Sequence, residues 1–367
     1  MKIIGLIVEY NPFHNGHLYH LQEAKKITNA DVIIAVTSTY FSMRGEVCAI
    51  DKRQKCAVAL SAGIDIMVEL PYLLGCQNAD IFAENAVRIL AKMGVNTIVS
   101  GSEINDLAYI KKVYNISQEK AFQTNIKNHL DQGYSYRKSF SLSLEDFHLP
   151  DLKANDLLNL KYYESIIKND LDIELKLIKR IHNDYHDDGF NTSHIQSATA
   201  IRKQQIYEGY VPEFAYNIYK ERPFMQLDDF TAIYNHLIVI NDLKTIFEAK
   251  EGIENKLINT TSLTKLIQHL TSKRYTASRI TRFISYVITN TTIQDFEFDE
   301  NYPIRVLGFN QTGQTYLNQI KKQVNYFTRL INGIHPVYDF EIKLAKIFSN
   351  VYHEDFIKLE QSLPYRK

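Results

Sequence analysis

The sequence predicts an α/β fold, with an open parallel sheet in its first part and a mainly α-helical second part. Three observations support this prediction. Short apolar segments recur through the first half, segments with helical spacing separate them, and the pattern becomes helical after about residue 205. Strands that alternate with helices of ~10–15 residues are typical of right-handed βαβ units, and therefore of parallel sheets.

The strands are predicted from short apolar runs. Residues 31–38 (DVIIAVTS) form a nearly continuous apolar run, which is typical of a strand buried on both faces of a sheet. The full set of predicted strands is 2–10, 31–38, 64–70, 96–101 and 173–181. Helices are predicted at 51–62 and 79–94, where a glycine at or just after the end of each helical pattern acts as a stop signal, and helical spacing also covers 104–169.

The length of 367 residues favours about two domains. We assign residues 1–205 to a domain that holds the sheet and residues 206–367 to a helical second domain. In the second domain, the segments 230–249, 262–270 and 278–288 have the apolar spacing of amphipathic helices.

Composition excludes several classes of protein. Forty-two Lys and Arg residues balance 42 Asp and Glu residues, which excludes a polycation or an acidic tail protein. No run approaches the ~18 apolar residues of a membrane span, and the first residues lack the pattern of a signal peptide. Cys48, Cys56 and Cys76 have no CxxC spacing, which argues against a disulfide scaffold or a zinc cluster. We therefore expect a cytoplasmic protein with no metal site and no membrane partner, and no protein partner is implied.

The strongest local signal follows the first predicted strand, in the segment Glu9–His17 (EYNPFHNGH). Pro12 and Gly16 favour a tight connection into a helix, whose N-terminus would present N–H groups and a partial positive charge to a phosphate. His14 and His17 are three residues apart and could donate hydrogen bonds to nucleotide phosphates and to departing pyrophosphate. Two histidines satisfied within a polar turn are the alternative. Zinc is disfavoured because the four-residue window of the motif offers no obvious third ligand.

Two stretches of the second half contain basic residues and no acidic ones, namely 255–294 and 301–338. Their basic residues are Lys256, Lys265, Lys273, Arg274, Arg279, Arg282, Arg305, Lys321, Lys322 and Arg329. Arg279 and Arg282 share a helix face, and aromatic residues such as Tyr275 lie among the basic ones. This pattern favours binding of a polyanion, with a solvated basic helix surface as the alternative.

The HxGH pattern after a first strand resembles the signature of the nucleotidyltransferase superfamily, which includes adenylyltransferases and class I aminoacyl-tRNA synthetases. That superfamily has a second motif of the form ISSTxIR near the end of the sheet, and Ile195–Arg202 (IQSATAIR) stands in that place. By this resemblance, the hydroxyl groups of Ser197 and Thr199 and the guanidinium of Arg202 clamp a triphosphate opposite the histidines. The alternative is an ordinary helix start capped by Ser197 or Thr199.

Further motifs are similar to those of one bacterial family, the tRNA(Met) cytidine acetate ligases. In the first domain these motifs are Met43–Glu46 (MRGE), Asp51–Lys52 (DK), Ala62–Asp65 (AGID), Val68–Pro71 (VELP), Phe82–Glu84 (FAE) and Ser100–Glu103 (SGSE). In the second domain, Lys273–Tyr275 with Arg279 and Arg282, and then Val306–Asn310 (VLGFN), resemble the helical region of that family. One departure is Asn159, where the family usually has Gly.

The resemblance implies a Rossmann-like nucleotidyltransferase domain and the activity of that family. Its members activate acetate with ATP to acetyl-adenylate and release pyrophosphate. They then transfer the acetyl group to the N4 amine of the wobble cytidine in elongator tRNA(Met). The resemblance therefore implies ATP as cofactor, accompanied by Mg²⁺ that phosphates and waters hold, and acetate and elongator tRNA(Met) as partners.

The resemblance also assigns residues to roles. The expected catalytic residues are His14, His17, Ser197, Thr199 and Arg202. The expected ATP-binding residues are Ile7, Val8, Glu9, Tyr10, Asn11, Pro12, Phe13, His14, Asn15, Gly16, His17, His20, Gly101, Asn155 and Arg180. The expected tRNA-binding residues are Lys273, Arg274, Arg279 and Arg282. For Asn155 the alternative is a helix N-cap, and for Arg180 it is a salt bridge at the end of the sheet.

Two other functions stay open at this point. A small-molecule adenylyltransferase would fit the first domain equally well, but it leaves the basic second domain unexplained. A non-catalytic, nucleotide-dependent RNA-binding module would use the basic stretches, but it has no need of the HxGH turn or of Arg202.

Overall fold

The computed structural model describes residues 1–180, 195–205 and 207–367. In chain order, the strands are β1 Ile3–Val8, β2 Val32–Thr37, β3 Ile66–Glu69, β4 Thr97–Ser102, β5 Glu174–Lys179, β6 Ile304–Phe309, β7 Tyr326–Phe327 and β8 Tyr365–Arg366. They form one sheet in the order β5-β4-β1-β2-β3-β6-β7, and β8 pairs with β6. The five strands predicted from sequence are therefore confirmed as β1–β5. The last residue of the predicted fifth strand, Ile181, lies outside the described residues.

Helices cover both faces of the sheet and build the rest of the described chain. They are α1 Asn15–Thr28, α2 Lys52–Ala62, α3 Tyr72–Gly75, α4 Ala79–Lys92, α5 Leu107–Ser117, α6 Lys120–Asp131, α7 Tyr136–Asp146, α8 Ala154–Lys168, α9 Ala198–Gln204, α10 Glu213–Tyr219, α11 Thr231–Ile240, α12 Leu263–Leu270, α13 Ala277–Ile288, α14 Gln311–Ile320, α15 Pro336–Tyr352 and α16 Phe356–Glu360. Short 3₁₀ turns begin at Leu227, Leu243, Glu254 and Ile293. No helix among the described residues is long and apolar enough to cross a bilayer.

The order of the parallel strands creates the crevice of an open α/β sheet. β1–β5 run parallel, and β1 pairs with β2 along its whole length, from Ile3 opposite Val32 to Val8 opposite Thr37. The chain leaves β1 towards β2 and β3 and then returns to β4 on the other side of β1. Ligands of open α/β sheets bind at the carboxyl ends of the strands where this reversal occurs. The reversal therefore predicts a site between the ends of β1 and β4.

The last third of the chain also enters the sheet, which the sequence did not indicate. β6 pairs antiparallel with β3, and Val306 lies opposite Val68. The assignment of Val306–Phe309 to a helical region was therefore wrong. The segment belongs to β6, a fully buried strand of six residues, and such short apolar runs cannot be assigned by periodicity alone.

A buried cluster of charges holds this added strand in place. Arg305 in β6 lies 3.0 Å from the Glu69 carboxylate at the end of β3, and it also pairs with Glu360 in α16. Lys52 lies 2.7 Å from Glu69 and 2.5 Å from Glu360. Burial raises the pKa of Glu69, but Lys52 and Arg305 together lower it to about 2. Arg305 is only 2% exposed, so it was wrongly counted among the basic residues of a binding surface.

The helical part packs on loops at the carboxyl end of the sheet. Phe41, which follows β2, and Tyr72, which follows β3, share an apolar cluster with Phe283 in α13 and Phe348 in α15. The backbone of Gly45 lies against α13, because a Cβ added at Gly45 would lie 2.5 Å from the Cα of Arg282. The loop that follows β2 therefore connects the sheet edge directly to α13.

Candidate active site

The turn between β1 and α1 fixes the two histidines through hydrogen bonds to the backbone. The N-cap of α1 is His14, whose Nδ1 accepts a hydrogen bond from the Gly16 amide at 3.0 Å. His17 Nδ1 accepts one from the His14 amide at 3.3 Å, and the two rings stack with their centroids 3.8 Å apart. Because each Nδ1 accepts a hydrogen bond, each neutral imidazole carries its proton on Nε2. The pair thus offers two Nε2–H donors at the end of β1.

The surroundings keep these histidines neutral. Burial, followed by the positive charges of Arg180 and Arg202, lowers the pKa of His14 to about 3. Burial also lowers the pKa of His17 well below its usual value, and it lowers the pKa of His20 to about 4 with help from Arg180. The histidines therefore act as neutral hydrogen-bond donors near pH 7, and Arg180 and Arg202 supply positive charge beside them.

The first amide groups of α1 are already occupied, contrary to the sequence-based expectation of free N–H groups. The Asn15 amide donates to the Tyr210 carbonyl at 3.0 Å, and the Gly16 amide donates to His14. A phosphate at this turn would therefore meet side-chain donors rather than the first backbone amides.

The second motif forms the opposite wall. α9 begins after its N-cap Ser197, whose Oγ accepts a hydrogen bond from the Ala200 amide at 3.1 Å. The predicted capping alternative is thus confirmed for Ser197, although its side chain also borders the site. Arg202 donates to the Asn11 carbonyl and to the Glu46 carboxylate, the latter at 2.7 Å. Its guanidinium also lies 3.5 Å from Thr199 Oγ1. Arg202 therefore ties α9 to the histidine turn.

The ends of β4 and β5 form the third wall. The Arg180 side chain lies across Gly101, since a Cβ at Gly101 would lie 3.3 Å from Arg180 Cγ. Asn155 donates to the Glu103 carboxylate, and Arg180 Nε lies 3.5 Å from the same oxygen. The predicted sheet-end salt bridge of Arg180 is therefore present. The N-cap of α8 is Lys153, so the N-cap alternative for Asn155 was wrong.

These walls enclose one cavity of about 240 Å³. Fifteen of the predicted site residues line it, namely Ile7, Val8, Glu9, Tyr10, Asn11, His14, Gly16, His17, His20, Gly101, Asn155, Arg180, Ser197, Thr199 and Arg202. His20 Nε2 is buried and has no hydrogen-bond partner among the described residues, so it is available to a ligand.

Three residues predicted to bind ATP do not line the cavity and instead hold the turn in place. The Phe13 amide donates to the Tyr219 hydroxyl at 3.1 Å, and its ring packs against Tyr10 with the centroids 4.7 Å apart. Asn15 donates to the Gly209 carbonyl at 3.1 Å. Pro12, directly before the first of these anchors, forms a cis peptide with Asn11.

Other residues of the cavity were not predicted as site residues. They are Tyr19, Met43, Arg44, Glu46, Phe82, Ser100, Ala154, Leu158, Tyr162, Ile178, Lys179, Ile195, Gln196 and Ala198. Several belong to motifs that carried the family resemblance, among them Met43–Glu46 and Phe82–Glu84. That resemblance was the one available signal, because their approach to the histidine turn depends on the tertiary fold. Asn159, where the family usually has Gly, donates to the Gly101 carbonyl at 3.1 Å and so supports this wall from behind.

The predicted tRNA-binding residues lie around the N-terminal half of α13. Lys273 and Arg274 are exposed, and Arg279 pairs with Glu251 at 2.7 Å. Arg282 pairs with Glu248 at 3.1 Å, and its side chain is only 11% exposed. Both glutamates stand just before the acid-free stretch, so the fold reduces the positive charge that the sequence suggested.

The described residues contain no group of three His, Cys, Asp or Glu side chains that could hold a metal ion. The described polar side chains that line the cavity around the histidine turn and α9 include histidines, arginines and hydroxyl groups.

Comparisons with known proteins find relatives along nearly the whole chain. Residues 1–361 match the model of the HIGH Nucleotidyl Transferase family. The tRNA(Met) cytidine acetate ligase of Caldicellulosiruptor saccharolyticus is 36% identical over 98% of this chain and 97% of that protein. The tRNA(Met) cytidine acetate ligase of Fusobacterium nucleatum is 37% identical over 90% of this chain and 88% of that protein.

Solved structures show the same overall fold. The crystal structure of apo Thermotoga maritima TmcAL matches with a TM-score of 0.87 at 26% identity, covering 100% of this chain and 99% of that one. The structure of the same protein bound with alpha-thio ATP matches with a TM-score of 0.86, covering both chains fully. By sequence and by fold, this chain belongs to the tRNA(Met) cytidine acetate ligase family of the HIGH nucleotidyl transferases.

Proposed function

We propose that this chain activates acetate with ATP to acetyl-adenylate and then acetylates the wobble cytidine of elongator tRNA(Met) to N4-acetylcytidine. The observation that carries the proposal is the meeting of the two motifs at one cavity, where Arg202 of the second motif bonds to the Asn11 carbonyl in the first. A cytoplasmic location fits this tRNA substrate.

ATP is proposed to lie across the ends of β1 and β4. Its triphosphate would fit between the two histidines and the α9 wall, because His14 and His17 supply neutral Nε2–H donors and Arg202 supplies positive charge. Its nucleoside would then reach towards Gly101 and Asn155, which border the same cavity. The unpartnered His20 Nε2 supports a polar ligand on this side.

The first chemical step needs positioning and charge stabilisation rather than a nucleophilic side chain. A carboxylate oxygen of acetate attacks the α-phosphorus, a new O–P bond forms, and the bond to pyrophosphate breaks. Arg202, His14 and His17 are placed to stabilise the charge that builds up on the phosphate oxygens and on pyrophosphate. We propose that ATP brings its own Mg²⁺, held mainly by phosphates and waters, since the described residues include no group of three metal-ligating side chains.

The tRNA is proposed to approach over α13. This helix touches Gly45 in the loop that carries Arg44 and Glu46 into the cavity wall. A phosphate backbone held by Lys273, Arg274 and Arg279 would therefore lie next to the cavity, and an extruded cytidine could enter it. Arg282, which is largely covered by its pair with Glu248, lies behind these residues at the contact with Gly45.

One assay tests the whole proposal. The purified protein is incubated with ATP, Mg²⁺, radiolabelled acetate and unmodified elongator tRNA(Met), and the tRNA is digested to nucleosides. Labelled N4-acetylcytidine is the expected product, and a matched tRNA with uridine at the wobble position should remain unlabelled. Pyrophosphate release without labelled tRNA would contradict the proposal that tRNA(Met) is the acceptor, and it would favour a small-molecule adenylyltransferase. Tight tRNA binding without any turnover would favour the non-catalytic RNA-binding module.

A further inference from the structure

The cavity has a second region, beside the one assigned to ATP. Its walls include Met43, Phe82, Leu158 and Tyr162, which all belong to or pack against one apolar cluster beneath the sheet. None of these residues comes from the two motifs that face the triphosphate. The carboxylate of Glu9, directly after β1, lies at this apolar region, near Tyr162.

Glu9 is held in place by one hydrogen bond and keeps one oxygen available. Its Oε1 accepts a hydrogen bond from the Met43 amide at 2.6 Å. Among the residues that the structure describes, no group donates a hydrogen bond to Oε2. The charged groups around this carboxyl are Arg44 and Glu46 in the loop after β2 and Lys55 in α2, while Tyr162 approaches from α8. Burial raises the pKa of Glu9, and the Met43 amide and Arg44 offset part of this effect.

The reaction requires a proton acceptor in this region. The N4 amine of cytosine is a weak nucleophile, because its lone pair is delocalised into the ring, and it must lose a proton as it becomes an amide. A base placed within hydrogen-bond reach of the reacting amine is the usual solution. Phe82 and Tyr162, which are 3% and 4% exposed, give this region an apolar wall.

We propose that Glu9 is the catalytic base of acetyl transfer, with its Oε2 accepting a hydrogen bond from the N4 amine of the cytidine. This inference rests on the function proposed above. The N4 nitrogen attacks the acetyl carbonyl carbon of acetyl-adenylate, and a C–N bond forms. The bond between that carbon and the phosphate oxygen breaks, and AMP leaves with the electron pair. The proton released from N4 passes to the Glu9 carboxylate.

The test separates the two half-reactions with a Glu9→Gln variant. The glutamine oxygen can still accept the Met43 hydrogen bond, so the loop stays in place while the base is lost. Adenylate formation is measured as acetate-dependent exchange of pyrophosphate with ATP. Transfer is measured in a single turnover, by mixing tRNA(Met) with enzyme that already holds labelled acetyl-adenylate. We expect the transfer rate of Glu9→Gln to fall about 100-fold, and to fall far more than the exchange rate.

The pH profile supplies a second measurement that a purely structural role would not change. Wild-type transfer should rise with pH as Glu9 ionises, whereas Glu9→Gln should lack that dependence. Glu23→Gln on the outer surface of α1 serves as the matched control and should transfer at the wild-type rate.

Three results would overturn the inference. A transfer rate for Glu9→Gln within threefold of the wild-type rate would exclude Glu9 as the catalytic base. Equal losses in exchange and transfer, or weakened ATP binding, would place Glu9 in the ATP site instead. If the wild-type protein formed acetyl-adenylate but no acetylcytidine, the proposed function itself would fail, and the role of Glu9 would fail with it.

Discussion

Arg202 donates a hydrogen bond to the backbone carbonyl of Asn11 and so joins two segments that are 191 residues apart in the chain. Its second partner, Glu46, comes from a third segment, the loop after β2. The guanidinium is therefore positioned by two neighbours before any ligand arrives. A positively charged group that is already in place stabilises a developing phosphate charge at little cost in reorganisation.

Replacing Arg202 should remove adenylate formation. We expect Arg202→Ala to lower the rate of acetate-dependent ATP–pyrophosphate exchange by about 10²–10³-fold, because one preorganised charge is lost at the phosphate. Arg329→Ala, at a residue far from the cavity that bonds to the Gln361 carbonyl, is the control and should keep full exchange. Exchange near the wild-type level in Arg202→Ala would contradict this role.

His14 allows the structural and chemical contributions of one side chain to be separated. Asparagine is a good helix N-cap, so His14→Asn should preserve α1 while it removes the Nε2–H donor. His14→Ala should lose the donor and also about 1 kcal/mol of stability, since the cap is lost too. Exchange assays and thermal unfolding of both variants check this prediction. Equal unfolding temperatures for the two variants would show that the cap contributes nothing.

His14 should also make stability depend on pH. Its pKa is about 3 in the folded protein and about 6.5 in the unfolded chain, so the unfolded state binds more protons between these values. This contribution is complete above pH 6.5 and is lost as the pH falls towards 3. Lowering the pH from 7 to 5 should therefore reduce the free energy of unfolding by about 2 kcal/mol. Urea unfolding at both pH values should show a smaller loss in His14→Asn than in wild type, and parallel losses would refute the burial of a neutral imidazole.

Removing one charge from the buried cluster around Glu69 should strongly destabilise the folded protein. Arg305→Ala leaves Glu69 and Glu360 with Lys52 as their remaining cation, and breaking a buried pair in this way costs about 3–5 kcal/mol. Differential scanning calorimetry should show a clearly lower unfolding temperature. Lys322→Ala, at an exposed site of the same acid-free stretch, should leave it almost unchanged.

Charge reversal near α13 tests the tRNA surface. The double substitution Lys273→Glu and Arg274→Glu should weaken tRNA(Met) binding at least 10-fold and reduce its dependence on salt, because phosphate contacts are lost. ATP binding should not change. The matched control is Lys321→Glu with Lys322→Glu, which reverses two exposed charges in the other basic stretch. If the control weakens tRNA binding and the first variant does not, the tRNA surface lies on the opposite stretch.

The sequence could predict features that depend on contiguous residues. The five parallel strands and the HxGH turn are local patterns, and the structure places both where the patterns predicted them. Features that depend on distant partners could not be found in this way. Glu46 and Glu103 stand in motifs that carried the family resemblance, but no local pattern showed that they hold Arg202 and Arg180 in the cavity wall.

The basic stretch illustrates the same limit. The stretch 255–294 contains no acidic residue, but two glutamates that precede it pair with its arginines. Glu248 pairs with Arg282, and Glu251 pairs with Arg279. Arginine is usually found at protein surfaces, but the strand that carries Arg305 lies between β3 and β7 in the sheet. In each case the charge or burial of the arginine depends on a segment that is distant from it in the sequence.

The antiparallel strand β6 has a consequence for how the protein can be divided. A fragment that ends at residue 205 would keep the HxGH turn and the second motif but would lose β6, α15 and α16. The open edge of β3 would then offer unpaired amide and carbonyl groups to other molecules, a known route to aggregation. Glu69 and Lys52 would lose Arg305 and Glu360, their buried counter-charges. Chain cutting or exchange of modules at this boundary should therefore yield insoluble material rather than a free-standing adenylating enzyme, and the two functions would have to evolve as one folding unit.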